Sequence, residues 1–71
     1  VPSDASRRAR GILEALPDRY RRILDMRFLG ASSLKEAAAE LSVSVGNAKV
    51  LQYLALRNAA VVAARLAEKE G

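Results

Sequence analysis

The tightest constraint on this chain is an interval of three residues. Leu34, Ala37, Ala38 and Leu41 fall at i, i+3, i+4 and i+7, the spacing of one helix face, and a second helical stretch begins at Val45, directly after Ser42-Val43-Ser44. Two helices joined by so short a turn form the bihelical unit whose second helix is suited to a DNA groove. Local chemistry agrees with both starts. Ser33-Leu34-Lys35-Glu36 reads as a capping box, in which hydroxyl and carboxylate satisfy each other's orphan N–H groups, and Ser44 caps the second helix. Small Ala38 lets the helices approach, and Val43, apolar in mid-turn, is expected to plug the space between them.

The rest of the chain is helical by the same criteria. After a lead-in over residues 1–5 that carries the capping pair Ser3 and Asp4, Ala9, Ile12, Leu13 and Leu16 form one apolar face. Arg7, Arg8, Arg10 and Glu14 take the other face, and Gly11 weakens this first helix by about 1 kcal/mol relative to alanine. Pro17 starts a second helix, with Asp18 at its positive end; Tyr20, Ile23, Leu24 and Phe28 form its stripe and Gly30 supplies its stop near Leu29. The fourth helix runs from Val45 to Glu70 with no internal breaker beyond Gly46 in its first turn. No period-two alternation occurs, so the fold class is all-α: one four-helix domain over residues 1–71, with the helix-turn-helix at about 33–58 and a long C-terminal recognition helix.

Composition removes whole classes of function. Cysteine and histidine are both absent, which excludes disulfides, thiol nucleophiles, an imidazole base and the usual zinc sites, so no metal and no cofactor is expected. Asp18 and Asp25 share a helix, yet no base or phosphate-binding loop accompanies them, and an enzyme is not expected. The longest apolar run, Ala59 to Ala64, is far short of the roughly 20 residues of a membrane span, so the expected location is cytoplasmic, with no membrane partner. With 71 residues the domain hides only about 60% of its unfolded surface, which leaves a thin core. The net charge of +4 suits a polyanion partner and equally a solvated basic surface.

Taken in order, Leu16-Pro17-Asp18-Arg19-Tyr20-Arg21, Leu24, Arg27-Phe28-Leu29, Glu36-Ala37-Ala38-Ala39-Glu40-Leu41 and Val43-Ser44-Val45-Gly46-Asn47-Ala48-Lys49 resemble region four of bacterial sigma factors, especially the extracytoplasmic-function group. That resemblance spans roughly Leu13 to Ala60. It implies promoter recognition at the upstream element by the second helix of the unit and docking on the β flap of RNA polymerase. In many members it also implies capture by an anti-sigma factor. LuxR-type regulator output domains share the four-helix plan, but they usually open with a Thr-x-Arg-Glu type segment where this chain has Leu16-Pro17-Asp18-Arg19-Tyr20. Three departures from the family stand out: Ser42 where glycine is common, a recognition helix poor in Arg and His after Lys49, and the apolar continuation Ala59 to Ala64.

A helical wheel assigns Ala48, Leu51, Gln52, Ala55, Ala59, Val62 and Leu66 to the core face of helix four. Val50, Leu54 and Val61, interrupted by Arg57, make a second apolar ridge, read either as scattered surface residues or as a contact surface for a homodimer or an anti-sigma-like partner. The expected DNA-contacting set is Ser33 and Lys35 at the start of helix three, and Ser44, Asn47, Lys49, Gln52, Tyr53 and Arg57 on helix four. Asn47 is either an adenine reader or a polar first-turn residue; Lys49 and Arg57 are expected on phosphates. Two functional readings follow: a promoter-reading DNA-binding domain, and a protein-interaction module of the same fold.

Overall fold

A computed structural model describes residues 4–70, with side chains from Arg7 to Lys69. Four helices follow one another: α1 (Asp4–Ala15), α2 (Asp18–Leu24) continued by a π turn (Asp25–Leu29), α3 (Leu34–Leu41) and α4 (Val45–Glu70). Helix α1 starts at Asp4, slightly inside the expected lead-in, and Ser3 lies outside the described residues. With 26 residues at 1.5 Å rise, α4 is about 39 Å long, which accounts for the longest dimension of the molecule, 40 Å. The shortest dimension is only 14 Å, and α1, α2 and α3 all pack on α4.

The core is thin, as the chain length requires. Its buried members are Leu16, Ile23, Leu24, Ala38, Ala48 and Ala55, with Leu13, Tyr20, Leu34, Leu41, Val43, Leu51, Ala59 and Val62 packed around them. Alanine at 38, 48 and 55 removes the bulk that would hold the helices apart, and Ile23 is the largest side chain fully buried. The expected inner face of α4 is therefore the observed one, with Gln52 and Leu66 half-buried at its margins.

Helix two departs from expectation at its end. Pro17 (φ −54°, ψ 146°) is the N-cap rather than the first helical residue, and beyond Leu24 the ladder widens, Gly30 N–H donating to the Asp25 carbonyl at 2.8 Å. Phe28, expected on the buried stripe, is 60% exposed beside Leu29. The chain reversal also shifts by one residue: Gly30 stays right-handed (φ −89°) and Ala31 takes the left-handed conformation (φ 54°). A Cβ at Gly30 would stand 3.3 Å from the Met26 carbonyl oxygen, a tight contact that glycine avoids.

The turn between α3 and α4 is a Schellman closure. Val43 N–H donates to the Ala38 carbonyl (2.9 Å) and Ser42 N–H to that of Ala39 (3.2 Å), with Ser42 left-handed at φ 59°. Val43 then packs against the core, as a plug should. Because left-handed backbone costs a non-glycine residue about 1–2 kcal/mol and glycine returns part of that as chain entropy, Ser42→Gly should stabilise the domain by about 0.5–1 kcal/mol. In thermal unfolding this corresponds to a Tm rise of about 3–6 °C. An unchanged or lower Tm would show that Ser42 carries no strain.

Candidate nucleic-acid interface

Caps place the reading helix. Ser33 Oγ accepts from Glu36 N–H (3.0 Å) while Ser33 N–H donates to Glu36 Oε1 (2.9 Å), so the expected capping box is present and Lys35 is exposed on the first turn of α3. The Ser33 backbone bond, seconded by its hydroxyl, holds the Glu36 carboxyl below the usual range. Ser44 Oγ likewise accepts from Asn47 N–H at 3.1 Å. Both serine hydroxyls thus accept a backbone N–H at a helix start.

On α4 the expected residues divide by face. Asn47, Lys49, Tyr53 and Arg57 are exposed, as are Val50, Leu54 and Val61, which with Arg57 line one stripe at four-, three- and four-residue steps. The Arg57 guanidinium lies 5.8 Å from the centre of the Tyr53 ring, a cation–π distance that pre-positions both side chains. Gln52 sits elsewhere. It points from the opposite side of the helix toward the π turn, half-buried, and its Oε1 accepts from Arg27 Nε at 2.8 Å. Its carbonyl is therefore committed to packing rather than turned toward the exposed stripe.

Arg27 enters the sequence reading only within the segment Arg27-Phe28-Leu29, with no role of its own. Besides Gln52 it reaches the Ser32 carbonyl through Nη1 (2.8 Å), tying the π turn, the loop after it and α4 together behind the interface. No local pattern announces this, since its partner lies 25 residues away. Within α2, Arg21 pairs with Asp18 on an exposed surface.

Charge is segregated around this frame. From Val45 to Ala67, α4 carries Lys49, Arg57 and Arg65 and no Asp or Glu. Carboxylates gather instead at a cleft of about 390 Å³ lined by Arg22, Asp25, Met26, Ser32, Glu36 and Glu40, on α2, α3 and the segment between them. Among the described residues no group of side chains could hold a metal ion, and no helix is long and apolar enough to cross a membrane.

The model of sigma-70 region 4 matches residues 6–58, well over half of the chain. No match among curated proteins or solved structures accompanies it. The matched span contains the capping box, the Schellman turn and the first half of α4. This chain belongs to the sigma-70 region 4 family, a family of DNA-binding domains that serve promoter recognition in transcription initiation.

Proposed function

We propose that this domain reads the upstream promoter element as part of a sigma factor of the extracytoplasmic-function type, with the exposed face of α4 in the major groove. One observation carries the reading: behind a tight helix-turn-helix, α4 presents Asn47, Lys49, Tyr53 and Arg57 outward on a face without acidic residues. Lys49 and Arg57 bind phosphates, Asn47 pairs with adenine, and Lys35 with the start of α3 touches the backbone across the groove. Docking on the polymerase β flap belongs to the same reading. The groove between α1 and the end of α4, about 570 Å³ with Ile12 and Leu66 in it and Arg7 and Arg8 beside them, leaves room for it.

Lys49→Ala and Arg57→Ala should each weaken binding on every sequence and lower the salt slope of log K by about one unit. Asn47→Ala should instead relax preference at a single position. Slopes unchanged in both cation mutants, measured by fluorescence anisotropy across a salt series, would remove those residues from the interface.

A second reading rests on the ridge. Val50, Leu54 and Val61 are 58%, 39% and 50% exposed, more apolar surface than a solvated helix needs, and a second copy or an anti-sigma-like partner would cover them. That partner and DNA would compete for one face of α4.

A further inference from the structure

The outward face of α4 is poor in the side chains most used to read guanine. A bidentate arginine or lysine on the O6 and N7 of guanine is the commonest specific contact, yet from Val45 to Leu56 the only cation is Lys49. The first arginine, Arg57, comes three turns into the helix and lies over Tyr53. At the positions between them that face outward stand Val50 and Leu54, both exposed, flanked by exposed Asn47, Lys49 and Tyr53. Resting on the DNA-reading function above, we infer that Val50 and Leu54 read thymines, each packing on a C5-methyl group, so that the site this domain prefers is written in A·T pairs.

The chemistry is complementary. In the major groove thymine alone offers a methyl, and an apolar side chain is the group that gains by covering it, whereas Asn47 supplies the donor and acceptor that adenine takes. Val50 and Leu54 share a face four residues apart, about 6 Å along the axis, which for a helix lying along the groove spans roughly two base steps of 3.4 Å. A second copy of the chain fits the same stripe less well. Packing α4 on itself would bury apolar residues together with Lys49 and Arg57, and the face has no carboxylate from Val45 to Ala67 to offset them.

The test removes only the methyl. Duplexes selected by the 71-residue chain from a randomised library are resynthesised with deoxyuridine in place of each thymine in turn. Two thymines about two steps apart should each lose about fourfold in affinity on losing the methyl, the value of one buried methylene. Val50→Ala should abolish the sensitivity at one of them and Leu54→Ala at the other, while Val50→Ile, which keeps the apolar contact, should retain it. Circular dichroism should be unchanged in all three, since both residues lie outside the core. Tight, selective binding that is indifferent to deoxyuridine everywhere would overturn the methyl reading and leave DNA binding standing. Absence of binding to any duplex would overturn both. Sedimentation as a dimer that Val50→Ala dissociates, with no deoxyuridine effect, would assign the stripe to self-association instead.

Discussion

Ile23→Ala should cost about 3 kcal/mol of folding free energy, since it truncates the largest side chain that is fully buried. Ile23 has no exposed surface, and its neighbours in the core include Ala38, Ala48 and Ala55. Alanine has no rotamer through which to lean into a vacated space, so most of the cavity persists and the cost stays near the transfer value plus the void. A chain of this size has a total stability of only about 4–10 kcal/mol, so the mutant will be substantially unfolded under mild denaturant. Urea unfolding followed by circular dichroism checks the size of the loss, and Ile23→Val serves as the graded control at about 1 kcal/mol. A loss below 1 kcal/mol for the alanine mutant would mean that α1, α2 and α3 can resettle on α4, which the packing described above does not allow.

Leu54→Arg should act in the opposite direction on binding and leave folding nearly untouched. The side chain lies on the outward stripe of α4, away from the core cluster, so thermal unfolding should shift little. A new guanidinium beside Lys49 and Arg57 adds a phosphate or guanine contact, which raises affinity for duplex DNA at low salt and steepens the salt slope by about 0.9. Any assembly held through this ridge should fall apart, because burying one such leucine is worth about 1.5–3 kcal/mol and a two-fold interface counts it twice. Paired sedimentation and anisotropy measurements read both effects. A protein whose DNA affinity neither rises on non-selected duplex nor falls on the selected one, and which keeps its parental mass, would place Leu54 in neither interface.

What could be read from the sequence was what depends on neighbours along the chain. The capping box at Ser33 and Glu36, the plug at Val43 and the inner face of α4 each follow from residues within a turn or two, and each is present. The end of helix two failed for a definable reason. Periodicity assumes a constant angular step, and the π turn from Asp25 to Leu29 breaks that step; Phe28 is exposed and the reversal falls at Ala31 rather than Gly30. Gln52 was assigned to both the core face and the DNA set; a partner 25 residues away, Arg27, holds it on the inner side. The remaining expected contacts on α4 and Lys35 at the start of α3 are exposed and accessible, which is as far as one helix wheel could take them.

Since α1, α2 and α3 all pack on α4, the helix that carries the reading face is also the spine of the fold. Along its axis the two roles are inseparable: a proline or an inserted residue between Ala48 and Val62 would destroy scaffold and reader at once. Around its circumference they are independent. Positions 47, 49, 50, 53, 54 and 57 are exposed and outside the core, so substitutions there leave the packing that holds the helix in place untouched.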